Sequence, residues 1–95
     1  MLGCALASPS ADYEAFKRDA LHHLRIVICE LPIADLRSHV RRTILCLQFM
    51  NEECEDAKIT GWIARLQDLY KRPLHPSVVR RTAMQVLSQI IGHSP

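Results

Sequence analysis

The chain has 95 residues, enough for one domain with a single core. Apolar residues make up 48% and charged residues 23%, a balance typical of folded globular proteins, which excludes the class of disordered, weakly hydrophobic chains. The formal net charge is only +2. Any basic surface must therefore be local, and the total charge does not by itself indicate a nucleic acid or an anionic membrane.

The first predicted helix, helix A, begins near Asp12 and carries apolar residues every three or four positions, as on one face of an amphipathic helix. These residues are Tyr13, Phe16, Ala20, Leu24, Val27 and Leu31. Pro32 lacks an amide donor and clashes with the preceding helical turn, so helix A is predicted to end near Glu30. Residues 1–11 are predicted to form an N-terminal tail.

Helix B is predicted from Pro32 to about Asn51, again with apolar residues at helical spacing. They are Ile33, Leu36, Val40, Ile44, Leu47 and Met50. Acidic residues between Glu52 and Asp56 mark the start of helix C, and Lys71 and Arg72 mark its end, because both signs of charge complement the helix dipole there.

Helix C has an apolar stripe with a tryptophan beside it. The stripe is Ile59, Ile63, Leu66 and either Leu69 or Tyr70, and the flanking residue is Trp62. Gly61 lies inside this helix at a cost of about 1 kcal/mol relative to alanine. We therefore expect another helix to pack closely against Gly61.

Helix D is predicted between Pro76 and Gly92, since proline favours the first turn of a helix and glycine its end. Its apolar residues are Val79, Ala83, Val86, Leu87 and Ile90. The sequence shows no alternating pattern typical of strands. It predicts an all-α fold, a four-helix bundle or two packed helical hairpins, in one domain over residues 12–92 with residues 93–95 as a C-terminal tail.

One hexapeptide pattern, S-x-V-R-R-T, occurs twice, as Ser38–Thr43 (SHVRRT) and, 39 positions later, as Ser77–Thr82 (SVVRRT). In each copy a valine continues the apolar stripe, so the paired arginines should lie beside the buried face. They are predicted to form a basic rim that binds an acidic partner: Arg41, Arg42, Arg80 and Arg81.

Three roles remain open for Arg80 and Arg81. Both follow the first turn of helix D, where the helix dipole favours an anion, so an acidic group should lie nearby. Residues 52–56 could supply it within the fold or across a dimer. An acidic partner protein or a nucleic acid backbone could also supply it, the latter in a helix-turn-helix with Ser77 and Val78 at the front of the recognition helix.

Helices A and B carry more apolar residues than one stripe needs, and four short helices cannot cover all of them. We therefore predict a homodimer that buries a second apolar face. The predicted interface residues are Leu21, Ile28, Leu45 and Phe49. A broad single core centred on helix A is the alternative.

The run His22-His23-Leu24-Arg25 in helix A resembles the H-x-L-K core of histidine phosphotransfer domains. The resemblance implies a bundle in which His22 accepts a phosphoryl group and Arg25 is the neighbouring cation. That family has small residues after the lysine, whereas this chain has Ile26 and Val27. A solvated polar face of helix A is the alternative interpretation.

A second resemblance lies in the C-terminal third of the chain. Trp62-Ile63-Ala64-Arg65-Leu66-Gln67, Val78–Thr82 and Val86-Leu87 are similar to the last two helices of the small AriR/YmgB regulators, which carry an "I..L(E/Q)" and a "V.RKT...VL" helix. Members of that family are all-helical dimers that act in biofilm and acid-resistance control, as connectors to a phosphorelay and on DNA. The resemblance implies a homodimeric bacterial regulator without catalytic residues.

Cys29 and Cys46 fall inside predicted helices, and the four cysteines have no C-x-x-C spacing. We therefore expect buried free thiols in a reducing, cytoplasmic environment. No pattern indicates a cofactor, a metal site, a catalytic nucleophile or a membrane span. The sequence predicts a non-enzymatic, homodimeric interaction or regulatory module, with DNA binding and phosphotransfer as the alternatives.

Overall fold

The structure, a computed structural model, describes residues 11–29, 33–71 and 75–93, without the side chains of residues 11, 33–35 and 70. Four α-helices follow one another in this part of the chain: α1 (Ala11–Cys29), α2 (Ile33–Glu53), α3 (Ala57–Asp68) and α4 (Pro76–Ile91). A short 3-10 turn, Leu69–Lys71, extends α3. The fold is an all-α four-helix bundle, as predicted, and α1 to α4 correspond to helices A to D.

Some sequence predictions fall outside the described residues. They are the tail before residue 11, the junction at Glu30 and Pro32, the apolar side chains of Leu31, Ile33 and Tyr70, and the helix end at Arg72. Among the described boundaries, α2 ends at Glu53 rather than at Asn51. The prediction for the last helix is confirmed, because α4 begins at Pro76 and has Gly92 as its C-cap.

Helix α1 is central to the packing. Both α2 and α4 pack against it, and α3 packs against α2 and α4. α1 and α2 are antiparallel, because Phe16 stacks on Phe49, whereas His23 further along α1 contacts His39 earlier on α2. The core contains Tyr13, Ala20, Leu24, Val27, Leu36, Val40, Ile44, Leu47, Met50, Ile59, Trp62, Leu66, Val79, Ala83, Val86 and Ile90. Nearly all of them belong to the predicted stripes.

The buried face of α3 differs from the prediction at one pair of neighbours. Trp62 is only 4% exposed, whereas Ile63 is half-buried at the edge of the core. The indole Nε1 of Trp62 donates a hydrogen bond to Oε1 of Gln89 on α4 at 2.6 Å. A tryptophan can be buried at low cost when its N–H has such a partner, so Trp62 rather than Ile63 faces the core.

Gly61 does not lie at a close helix contact. A Cβ atom added at this residue would meet no atom within 4 Å, and the residue is exposed. The expectation that a neighbouring helix packs against Gly61 is therefore wrong. The glycine lowers the helical stability of α3 without a compensating contact in the described part of the chain.

The acidic segment before α3 caps that helix. Asp56 is the N-cap residue, and its Oδ1 accepts a hydrogen bond from the amide of Lys58 at 2.8 Å. The amide of Asp56 donates to Oδ1 of Asn51, near the end of α2, at 2.9 Å. These bonds satisfy an otherwise open amide at the start of α3 and fix the turn between α2 and α3.

His93, which the sequence assigned to a C-terminal tail, packs into the domain. The residue is only 8% exposed, and its ring meets the indole of Trp62 edge-on with the ring centres 5.2 Å apart. Nε2 of His93 lies 3.2 Å from Oδ2 of Asp56, and its carbonyl oxygen accepts a hydrogen bond from Nζ of Lys17 at 2.8 Å. His93 thus joins the end of α4 to α1 and to the turn before α3.

The cysteines differ from the expectation of buried thiols. Cys4 lies outside the described residues. Of the other three cysteines, Cys29 and Cys54 are exposed and Cys46 is half-buried. Burial raises the pKa of the Cys46 thiol, and the negative charge of Asp19 raises it further. No helix among the described residues is both long and apolar enough to cross a membrane.

Candidate interaction surface

The two copies of the repeated hexapeptide have the same orientation toward the core. Val40 on α2 and Val79 on α4 are both buried. The equivalence extends beyond the hexapeptide, because Leu47 on α2 and Val86 on α4, also 39 positions apart, are both buried. The arginine pairs that follow the two valines therefore have equivalent places on their helices.

The first arginine pair lies on an exposed part of α2. Arg41 and Arg42 are both exposed and line a shallow concavity of about 420 Å³ together with Arg37, Ser38 and Leu45. Leu45 is 47% exposed, which is high for a leucine. We call these five residues the α2 arginine surface.

The second arginine pair lies on α4 and borders a concavity of about 590 Å³. Its lining residues are Ser77, Arg80, Arg81, Met84, Gln85 and Ser88, and we call them the α4 arginine surface. Arg81 is exposed, whereas Arg80 is half-buried. Nε of Arg80 is buried and has no hydrogen-bond partner among the described residues.

Each arginine surface contains an exposed large apolar side chain. On α4 it is Met84, 55% exposed, at the position equivalent to Leu45 on α2. Leu45 is among the interface residues predicted from the sequence, whereas Met84 is not. The signal was the distance of 39 positions between them, the same as between the two hexapeptides.

The acidic residues at the end of α2 do not pair with the repeated arginines. Within the described residues, no carboxylate oxygen lies within 4 Å of a nitrogen of Arg41, Arg42, Arg80 or Arg81. Asp56 instead caps α3 and faces His93. The described part of the fold therefore leaves the four repeated arginines without a carboxylate partner.

The predicted dimer residues fall into two groups. Leu21 and Ile28 on α1 are half-buried and pack against the core, as the alternative of a broad single core requires. Leu45 and Phe49 on α2 are 47% and 44% exposed. The Phe49 ring stacks on that of Phe16 with the centres 4.8 Å apart, which leaves part of it open to solvent.

Three histidines form a cluster where α1 meets α2. His22 is exposed and meets His23 edge-on, and Nδ1 of His23 lies 3.1 Å from Nδ1 of His39. Burial lowers the pKa of His23, and the charges of His39, His22 and Arg42 lower it further, whereas Asp19 opposes the shift. The uncharged form of His23 is therefore favoured in the folded protein.

By its fold and surfaces the chain is a small all-α bundle that has exposed arginines beside exposed apolar side chains. No protein-family model, no curated protein and no solved structure matches the chain.

Proposed function

We propose that the chain is a non-enzymatic helical interaction module of the cytoplasm, which self-associates and binds an acidic protein partner through the α2 and α4 arginine surfaces. One observation carries this proposal. The four repeated arginines have no carboxylate partner among the described residues, and each pair lies beside an exposed large apolar side chain, Leu45 or Met84.

This combination is typical of protein–protein interfaces. Arginine and methionine are enriched in interfaces, and arginine is among the residues whose truncation most weakens binding. A guanidinium group binds a carboxylate through two parallel charge-assisted hydrogen bonds. Leu45 and Met84 would exclude water from those bonds, which strengthens them. An acidic protein that also has apolar side chains fits both properties.

The test is a pull-down with the wild-type chain and with Arg80→Glu/Arg81→Glu as bait. We expect proteins bound by the wild type to be lost from this variant. The matched control is Arg18→Glu/Arg25→Glu, which reverses two exposed arginines on α1 and so makes the same change in net charge. Equal loss from both variants would indicate a general charge effect and would contradict the proposal.

Binding to DNA, as the AriR/YmgB resemblance implies, is the second candidate function. The observation in its favour is that Ser77 and Arg81 are exposed in the first turns of α4, where a recognition helix has its base contacts. A gel shift of duplex DNA that weakens as salt rises, and that is lost in Arg80→Glu/Arg81→Glu, would support it.

Phosphotransfer is the third candidate, and the exposure of His22 on a bundle helix favours it. The reaction needs an imidazole that a phosphorylated receiver domain can reach. Acid-labile phosphorylation that is lost in His22→Ala and retained in His75→Ala would support this function over the other two.

A further inference from the structure

The charges on α2 are separated along the helix. Three arginines, Arg37, Arg41 and Arg42, lie in its first half together with one acidic residue, Asp35, and Glu52 and Glu53 lie in its last turn. No charged residue lies between positions 42 and 52. The three arginines and the two glutamates are exposed, so α2 presents a mainly basic end and an acidic end on the surface of the bundle.

The residues between the two ends complete a continuous face. Steps of four, three, four and three positions place a set of exposed residues on one side of α2, opposite the buried stripe: Ser38, Arg42, Leu45, Phe49 and Glu52. This alternation of three and four is the spacing by which two helices pack along their length. We call this set, with Arg41 and Glu53 beside it, the α2 outer face.

The charged groups of the α2 outer face have no counter-ion among the residues that the structure describes. Neither Arg41, Arg42, Glu52 nor Glu53 forms an ion pair with another described residue. The two glutamates also lie at the end of α2, where the dipole of their own helix disfavours negative charge. Arg41, Arg42, Glu52 and Glu53 are therefore available to a partner.

We propose that the α2 outer face binds the same face of a second copy, with the two α2 helices antiparallel and Leu45 at the two-fold axis. This rests on the proposed function and names the acidic partner of Arg41 and Arg42. In a two-fold interface the same patch meets itself, so residues equally far before and after Leu45 face each other. The basic end of each helix then lies along the acidic end of the other.

The residues that face each other in this antiparallel arrangement are compatible in charge and polarity. Ser38 faces Glu52, and position 37 faces Glu53. Arg41 and Arg42 lie one helical turn from positions 37 and 38, so their long side chains lie alongside these two glutamates. Arg41 faces Phe49, whose exposed ring can accept a cation on its face. Parallel helices would instead place arginine against arginine and glutamate against glutamate, and these like charges would repel each other. The charge order of α2 thus selects a second antiparallel copy as the occupant of this face.

Charge exchange between two variants tests the proposal. Arg41→Glu/Arg42→Glu leaves α2 mainly acidic, and Glu52→Arg/Glu53→Arg leaves it basic. By sedimentation equilibrium at micromolar concentration we expect the wild type to be a dimer. Each variant alone should associate about tenfold more weakly or worse. An equimolar mixture of the two should form a heterodimer, and a chain with all four substitutions should again form a homodimer.

Three outcomes would overturn the proposal. The first is a wild type that stays monomeric at the highest concentrations reached. The second is dimerisation that survives in both variants, which would mean that another face is used. The third is two monomeric variants that do not associate when mixed, although circular dichroism shows both to be folded.

The control Arg80→Glu/Arg81→Glu separates this inference from the proposed function. We expect it to remain a dimer, because α4 does not contribute to the α2 outer face. If it dimerises but still captures the wild-type partners, binding through the α4 arginine surface is wrong and the dimer stands. If it loses those partners while the charge exchange fails, the dimer is wrong and the function of α4 stands.

Discussion

The carbonyl oxygen of His93 accepts a hydrogen bond from Nζ of Lys17, a residue 76 positions earlier in the chain. The buried ring of His93 also meets Trp62 edge-on and faces Asp56. We therefore expect His93→Ala to lower the free energy of unfolding by about 1–3 kcal/mol, because it removes buried packing and a polar contact. Thermal denaturation followed by circular dichroism measures this, with the exposed His75→Ala as the control. Equal melting temperatures for both variants would mean that His93 does not secure α4.

Gly61→Ala should stabilise the protein. The position is helical and exposed, and an added methyl group meets no neighbour, so the change should add up to about 1 kcal/mol to the free energy of unfolding. Urea denaturation measures it. The reverse substitution at an exposed site on the same helix, Ala64→Gly, should cost a similar amount. A loss of stability in Gly61→Ala would mean that a contact outside the described residues needs the glycine.

The histidine cluster should make stability depend on pH. Because the pKa of His23 lies below its ordinary value of 6.5, the unfolded chain binds a proton more readily than the folded protein. The free energy of unfolding should therefore fall as the pH falls below about 6.5, and this contribution is fully present only above that value. Urea denaturation of the wild type and His23→Gln across this range measures it. The same pH dependence in both proteins would contradict the prediction.

Arg80 and Arg81 should differ in their effect on stability although they are neighbours. Arg81 is exposed, so Arg81→Glu should change the free energy of unfolding by no more than about 0.5 kcal/mol. Arg80 is half-buried with its Nε out of contact with solvent. Arg80→Glu should cost about 1 kcal/mol or more, because the packing of the aliphatic stem is lost. Melting temperatures of the two single variants decide this, and a larger loss in Arg81→Glu would be the contrary result.

Substitutions at Leu21 and Leu45 should distinguish the core from the proposed dimer interface. Leu21 packs against the core, so Leu21→Asp should lower the melting temperature, since it places a charge at the edge of that core. Leu45 is exposed, so Leu45→Asp should leave the chain folded but monomeric. Light scattering and circular dichroism of both variants measure the two effects. If Leu45→Asp still forms a folded dimer, Leu45 does not belong to the dimer interface.

Much of the fold follows from local sequence. Periodicity predicts all four helices, and Pro76 and Gly92 set the limits of the last one, because their effects act through the backbone of the same segment. The choice between Trp62 and Ile63 could not be made in this way. Both residues border the same apolar stripe. The hydrogen bond from Trp62 to Gln89, which is distant in sequence, decides that Trp62 is the buried one.

The two arginine surfaces could likewise be predicted from the sequence only in part. The repeated hexapeptide predicts where the arginine pairs lie, since valine burial fixes the rotation of each helix. That these arginines have no carboxylate partner among the described residues could not be predicted, because it depends on the path of the acidic segment near Asp56 after α2 ends. The burial of His93 likewise depends on contacts with three distant segments of the chain.

The central position of α1 has a consequence for how the chain acquires its structure. α1 and α2 are consecutive and antiparallel, so they can pair as soon as both have been synthesised. The face of α1 that packs on α4 stays open to solvent until residues 76–91 have left the ribosome, and the closing contacts span most of the chain. Docking of α4 should therefore be the late step of folding. The α1–α2 hairpin without α4 should be the species most prone to aggregate, because its apolar face is still exposed.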